Sequence, residues 1–244
     1  MLTTIFFDLD DTLLDFTKAE AVALRKALTE VGAPAGDVVL DRYHVINQRQ
    51  WELLEEGVLT REEVLTSRFA ILFGELGVDA DPRDTCDRYE GHLAEGYWFR
   101  PGAEDLLRQL APRYDLYLAS NGAAAVQHSR LKSAGIAPYF KKIFISEEMG
   151  ADKPSRAFFD ACFAAIPNYD RATALMVGDS LTSDIRGGIN AGIRTCWLND
   201  REKPSRPDIV PDYTIKSLAE LPDLLEKIKD KSLFKISVAV NNLE

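Results

Sequence analysis

An alternation of short apolar runs with helical patterns, broken once, limits this chain more than any other feature. Runs at residues 3–7 (TTIFF), Asp115–Ala119, Lys142–Ile145, Thr173–Val177 and Arg194–Leu198 are short and rich in β-branched or aromatic residues. Helical patterns over Ala103–Leu110, Gly122–Ala134, Arg156–Ala165 and Ser183–Ala191 separate the later runs. Strand, helix, strand in succession predicts βαβ units, hence an α/β fold with a parallel sheet and helices on both faces. Tyr213–Ile215 predicts a short last strand and Ser217–Lys229 a helix after it. The break lies between the first strand and Asp115. There, residues 17–31, 38–56, 60–76 and 83–96 read as four amphipathic helices, punctuated by Gly32-Ala33-Pro34, Gly57, Gly77 and Asp81-Pro82. Thr60-Arg61-Glu62-Glu63 predicts a capping box at the start of the third. So long an all-helical stretch is a domain rather than a loop. The expected division is residues 1–14 and 99–244 for the sheet core and residues 15–98 for the insert. The insert leaves from the carboxyl end of the first strand, the end where open parallel sheets bind ligands.

Charge narrows the function classes. The 244 residues carry a formal charge of −10 at pH 7. Broad nucleic-acid binding needs Lys and Arg to replace counterions, so a nucleic acid polymer is not the expected partner. An anionic membrane surface is excluded on the same ground, and no apolar run approaches 18 residues. A small anion remains compatible, because a site can be locally positive. Three scattered Cys without a CxxC, and three His, argue against a Cys/His zinc site. Reduced, buried thiols and the lack of a signal-peptide pattern lead us to expect a cytoplasmic protein.

Four polar signals fall at four predicted strand ends. The first is Asp8-Leu9-Asp10-Asp11-Thr12, where two carboxylates one residue apart follow a strongly apolar run. Clustered acids repel unless a cation holds them; a solvated acidic turn is the plainer alternative. The second is Ser120-Asn121-Gly122, either an anion cradle of backbone N–H groups or an ordinary helix cap. The third is Lys153-Pro154, with Pro154 suited to a first helical turn and Lys153 just before it; a solvated lysine is the usual alternative. The fourth is Gly178-Asp179 through Asp184, in which Asp184 could serve only as a partner of a helix dipole.

Together the set is acid, hydroxyl, base, acid on successive strand ends. It resembles the haloacid-dehalogenase-like hydrolase superfamily, with the pattern DxDx[TV], [ST], K and GDxxxD. In this chain those positions are Asp8, Asp10 and Thr12; Ser120; Lys153; and Asp179 with Asp184. The resemblance covers nearly all of the chain except residues 231–244. It implies a Rossmann-like parallel sheet core with an inserted α-helical cap domain. Asn47, Trp51, Gly57-Val58-Leu59-Thr60, Arg68-Phe69 and the stretch from Val177 to Asn199 further resemble the bacterial pyrimidine nucleotide 5′-nucleotidases of that superfamily, a noncanonical house-cleaning type.

The resemblance implies an enzyme, a phosphoric monoester hydrolase that forms an aspartyl-phosphate. Asp8 would be the nucleophile, and Asp10 the general acid and base. Mg²⁺ would be held by Asp8, the backbone carbonyl of Asp10 and Asp179, with Thr12 and Asp184 behind them. Ser120, Lys153 and the backbone N–H of Asn121 would bind the phosphoryl oxygens. Dehalogenases of the superfamily generally lack the second Asp, so Asp10 favours phosphoryl chemistry. In the cap, Asn47, Trp51 and Arg68 are candidate substrate contacts, although aromatic residues at helical spacing more often form core. The expected substrate is a small-molecule phosphate ester, a nucleoside 5′-monophosphate, and by the narrower resemblance a pyrimidine one. A sugar phosphatase, a β-phosphoglucomutase-like enzyme and a non-catalytic phospho-ligand-binding protein are the alternatives.

Overall fold

A computed structural model describes residues 2–229. Among these, six strands form one parallel sheet: β1 (Thr4–Phe7), β2 (Asp115–Ser120), β3 (Lys142–Ile145), β4 (Ala174–Gly178), β5 (Arg194–Leu198) and β6 (Tyr213–Ile215). Their order is β3-β2-β1-β4-β5-β6. Helices are α1 (Phe16–Glu30), α2 (Asp37–Glu55), α3 (Arg61–Leu76), α4 (Pro82–Leu93), α5 (Ala103–Leu110), α6 (Ala124–Ala134), α7 (Ser146–Met149), α8 (Arg156–Ala164), α9 (Arg186–Ala191) and α10 (residues 221–229). No helix among the described residues is long and apolar enough to cross a membrane. Residues 231–244 lie outside the described residues.

The chain divides into two compact units. One holds residues 2–14, 99–121 and 136–229; the other is Asp15–Trp98 with Gly122–Gly135. The sequence pattern assigns residues 122–135 to the sheet core, but α6 groups with the helices. Its Ser129 hydroxyl donates to the Ala94 carbonyl at 2.9 Å, and the buried Arg130 donates from Nε to the Gly96 carbonyl at 2.7 Å. Val126 adds an apolar tie by packing into the helical unit's core.

In the sheet unit, β1 is buried on both faces, as its unbroken apolar run requires. Phe6, Tyr117 and Phe144 line one face of three adjacent strands, and Phe158, Phe159 and Phe163 of α8 join their cluster. The Phe6 and Tyr117 rings stack at 5.3 Å between centroids. Burying such a ring contributes about 1.5–3 kcal/mol relative to leaving it in water.

In the helical unit, α1 packs on α4 and α2 on α3. Tyr43, Phe69 and Tyr89 meet at its centre with centroids 5.0 to 5.7 Å apart. The expected capping box is present: the Glu63 N–H donates to Thr60 Oγ1 at 3.3 Å, and the Thr60 N–H donates to Glu63 Oε2 at 2.8 Å.

Candidate active site

The strand order reverses at β1. The chain runs outward through β2 and β3, then crosses back to place β4 against the other side of β1. All strands are parallel, so their carboxyl ends share one edge, and this reversal point is where such sheets bind ligands. Asp8 follows β1, Ser120 closes β2 and Asp179 follows β4. Phe7 is in register with both Leu118 and Val177, and the Asp8 N–H donates to the Val177 carbonyl at 3.0 Å. The signals at these ends are thus brought together by register.

Lys153 lies at the middle of the cluster and is 1 % exposed. Its ammonium donates to Asp8 Oδ1 at 2.8 Å, to Asp184 Oδ1 at 2.7 Å and to the Ala119 carbonyl at 2.7 Å. Three donors meet three acceptors, which is full satisfaction for a lysine. Its backbone is held by Asn121, whose amide donates to the Lys153 carbonyl and accepts from the Lys153 N–H, both at 2.9 Å. Asn121 therefore braces the loop of the lysine, and it is not a helix cap; Ala123 is the N-cap of α6. Pro154 precedes Ser155, the N-cap of α8, so it stands ahead of the first turn and not in it. Ser120 is buried at the end of β2.

Asp184 sits on a π turn, Leu181–Ile185, ahead of α9, where an ordinary helix start was expected. Single π turns are frequent at functional sites. Asp184 Oδ2 accepts from the Ser180 N–H at 3.0 Å. Gly178 makes the room: a Cβ there would lie 2.1 Å from Asp184 Oδ2. Thr12 is fully buried, and its Oγ1 accepts from the Asp179 N–H at 3.1 Å, tying the turn after β1 to the end of β4. Asp10 is half-buried at the start of that turn and bridges to Leu14.

Crowding shows in the proton affinities. Burial raises the Asp8 carboxyl well above its usual range; Lys153 opposes this, and Asp184, Asp10 and Asp179 add to it. Burial pushes Asp179 up to about 6, against the pull of Lys203 and with the help of Asp184 and Asp11. Burial alone would lower Lys153, but Asp184 and Asp8 outweigh it and leave the ammonium firmly protonated. Asp8, Asp179 and Asp184 each offer a carboxylate oxygen within 4.8 Å of the others. An all-oxygen, carboxylate donor set suits a hard divalent cation. Asp184 stands with Asp8 and Asp179 in this cluster, and its two oxygens accept from Lys153 and from the Ser180 N–H.

Two basic residues at this edge escaped the sequence reading. Lys203 Nζ donates to Asp179 Oδ2 at 2.7 Å, and Arg201 forks onto Asp11 at 3.0 and 3.1 Å. Both lie in a polar loop with no periodicity or motif to signal them.

In the helical unit, Asn47 and Arg68 are brought together and Trp51 is not. Asn47 Oδ1 accepts from Arg68 Nη1 at 3.0 Å, and Asn47 Nδ2 donates to Glu20 Oε1 at 2.7 Å. All three residues are 3 % exposed. Trp51 is half-buried, with the Arg61 guanidinium 5.5 Å over its ring.

A buried carboxylate beside a lysine, with further carboxylates at the same sheet edge, thus stands where open parallel sheets bind ligands. The family model described as haloacid dehalogenase-like hydrolase matches residues 2–192, and the chain belongs to that family. It is 40 % identical over 224 residues to the pyrimidine 5′-nucleotidase PynA of Streptococcus pneumoniae, covering 91 % of this chain and 94 % of the relative. It is 34 % identical over 223 residues to the pyrimidine 5′-nucleotidase YjjG of Escherichia coli, covering 91 % and 97 %. The crystal structure of the HAD-hydrolase YfnB of Bacillus subtilis, bound to magnesium, matches with a TM-score of 0.89 at 42 % identity, covering 92 % of this chain and 98 % of that one. The enzyme class is that of a phosphoric monoester hydrolase.

Proposed function

We propose that this chain hydrolyses pyrimidine nucleoside 5′-monophosphates, with Mg²⁺, through an aspartyl-phosphate on Asp8. The observation that carries the chemistry is the buried Lys153–Asp8 contact of 2.8 Å at the strand reversal, two residues before Asp10. The substrate class is supported by the likeness to PynA and YjjG.

In this reading an Asp8 carboxylate oxygen attacks phosphorus and the bond from phosphorus to the nucleoside O5′ breaks. Asp10 gives its proton to that leaving oxygen. Asp10 then takes a proton from water as the water oxygen attacks phosphorus, and the bond to Asp8 breaks to release inorganic phosphate. Splitting one hard displacement into two gives each half a lower barrier. Lys153 holds Asp8 in place and adds positive charge where phosphoryl oxygens gather; Ser120 and the Asn121 N–H supply further donors. Asp8, Asp179 and Asp184 would hold the Mg²⁺, with the Asp10 carbonyl completing the set. The cation supplies charge neutralisation between a carboxylate and a phosphate that would otherwise repel. Trp51 is the cap residue with a ring face suited to a base.

The test is phosphate release from a panel of nucleoside monophosphates and sugar phosphates, with Mg²⁺ and with EDTA, beside Asp8→Asn. Metal-dependent release from UMP, dUMP or dTMP that Asp8→Asn abolishes is the expected result. Release from sugar phosphates alone would reject the nucleotide reading and keep the chemistry.

A further inference from the structure

The loop after β5 reaches back to the strand ends that carry the acids. Arg201 lays two guanidinium nitrogens on the two carboxylate oxygens of Asp11, at 3.0 and 3.1 Å, across 190 residues of chain. Asp11 adopts φ +56°, a left-handed conformation uncommon for a residue with a side chain. It stands between Asp10 and Thr12, and its N–H donates to the Leu14 carbonyl at 2.8 Å. A bidentate arginine–carboxylate pair fixes orientation as well as distance.

The loop is itself built. The Asn199 side chain brackets Lys203, accepting from its N–H at 2.7 Å and donating to its carbonyl at 3.0 Å. Asp200 pairs with Arg100, whose backbone N–H donates to the Leu13 carbonyl at 2.9 Å, at the far side of the same turn. Lys203 closes on Asp179. Arg201 therefore pins the loop to the turn after β1 and Lys203 to the end of β4, while Asp200 ties it to Arg100, which bonds that turn at Leu13.

The geometry points to Arg201 as a positioning residue: by clamping Asp11 in its left-handed conformation it sets the place of the neighbouring Asp10 carboxyl. The inference rests on the reading in which Asp10 moves the proton. Loss of the clamp leaves substrate binding largely intact and lets Asp10 stray, and displacement of a reacting group by about 1 Å costs on the order of 100-fold.

The experiment uses the full chain with Mg²⁺ and p-nitrophenyl phosphate, a substrate that needs no base recognition. Arg201→Gln, Arg201→Lys, Asp11→Asn and the Arg201→Gln/Asp11→Asn double variant are compared for kcat, KM and thermal midpoint. Expected is a kcat loss of about 10- to 100-fold in Arg201→Gln with KM within about threefold. Arg201→Lys should recover part of it, since a lysine keeps the charge and loses the fork. The double variant should be no worse than the worse single one. A kcat in Arg201→Gln within twofold of wild type overturns the inference, as does full additivity in the double variant. If Arg201→Gln does not fold, Arg201→Lys and Asp11→Asn carry the comparison by the same kcat criterion. A wild-type chain that releases nothing from any phosphate ester removes the phosphatase reading, and this inference with it; an active wild type with an indifferent Arg201 removes this inference alone.

Discussion

Lys153 Nζ lies 2.8 Å from Asp8 Oδ1, and the two side chains are 1 % and 9 % exposed. The same ammonium holds Asp184 at 2.7 Å, so one cation compensates two buried carboxylates. Removing it should leave both without a partner charge. Lys153→Met is expected to lower the stability of the metal-free protein by about 3–5 kcal/mol, the usual cost of breaking a buried pair from one side. Denaturant unfolding in EDTA checks this. Phosphatase activity should vanish in the same variant even where folding is restored by excess Mg²⁺.

Gly178 and Asp184 give a second expectation. A methyl at Gly178 would stand 2.1 Å from Asp184 Oδ2, so Gly178→Ala must push that carboxylate out of its place. Overpacking of this kind costs about 1–3 kcal/mol. Misplacing an oxygen of the acid cluster should weaken Mg²⁺ affinity by about 10- to 100-fold. Isothermal titration with Mg²⁺ reads this directly, and unchanged affinity would argue that Asp184 has no part in holding the cation.

The helical unit separates its three candidates by burial. Asn47 spends its amide on Arg68 and Glu20, and Arg68 donates further to the Leu65 carbonyl and Cys86 Sγ. Asn47→Ala should therefore show first as a lowered thermal midpoint. Trp51 keeps more of its surface. Trp51→Ala should cost about 10-fold in kcat/KM for a nucleotide, a typical stacking contribution, and leave p-nitrophenyl phosphate hydrolysis unchanged. An equal loss on both substrates would sink the stacking role.

The thiols supply a pH dependence. Burial raises Cys162 and Cys196 to about 12, and it raises Cys86 above its usual value against the pull of Arg68. A native-state pKa above that of the unfolded chain means the folded protein holds the proton longer. This contribution is complete below the ordinary thiol pKa of about 8.5 and is lost as pH rises toward 12. Stability should fall progressively above about pH 9. At about pH 8, below the ordinary thiol pKa, a thiol reagent should label none of the three cysteines in the native protein and all three in denaturant.

The strands were legible because each is a short run rich in apolar, β-branched or aromatic residues between turn or helix signals. Asp8 and Asp179 could be placed from the sequence because each directly follows such a run, whereas Lys153, beyond α7, joins them there only through the resemblance of the whole motif set. The place of α6 could not be read in advance: its pattern is that of any crossover helix, and its tie to the helical unit runs through Ser129 and Arg130 donating to loop carbonyls at residues 94 and 96. The π turn under Asp184 was also hidden, since one inserted residue barely alters the apolar spacing. Arg201 and Lys203 were invisible because an ion pair leaves no periodicity in either partner's neighbourhood, least of all across 190 residues.

The strand order has a consequence for how the protein is made. β1 occupies residues 4–7, yet its two neighbours in the sheet begin at residues 115 and 174. A ribosome extending about 5–20 residues per second exposes the β1 segment for roughly 10–30 s before β4 is synthesised. Through that interval the segment Ile5-Phe6-Phe7 has at most one of its eventual neighbours, and Asp8 beside it has no finished surroundings. Chaperone demand and sensitivity to translational pausing should therefore concentrate on the first strand, and synthesis of β4 is the event that ends the exposure.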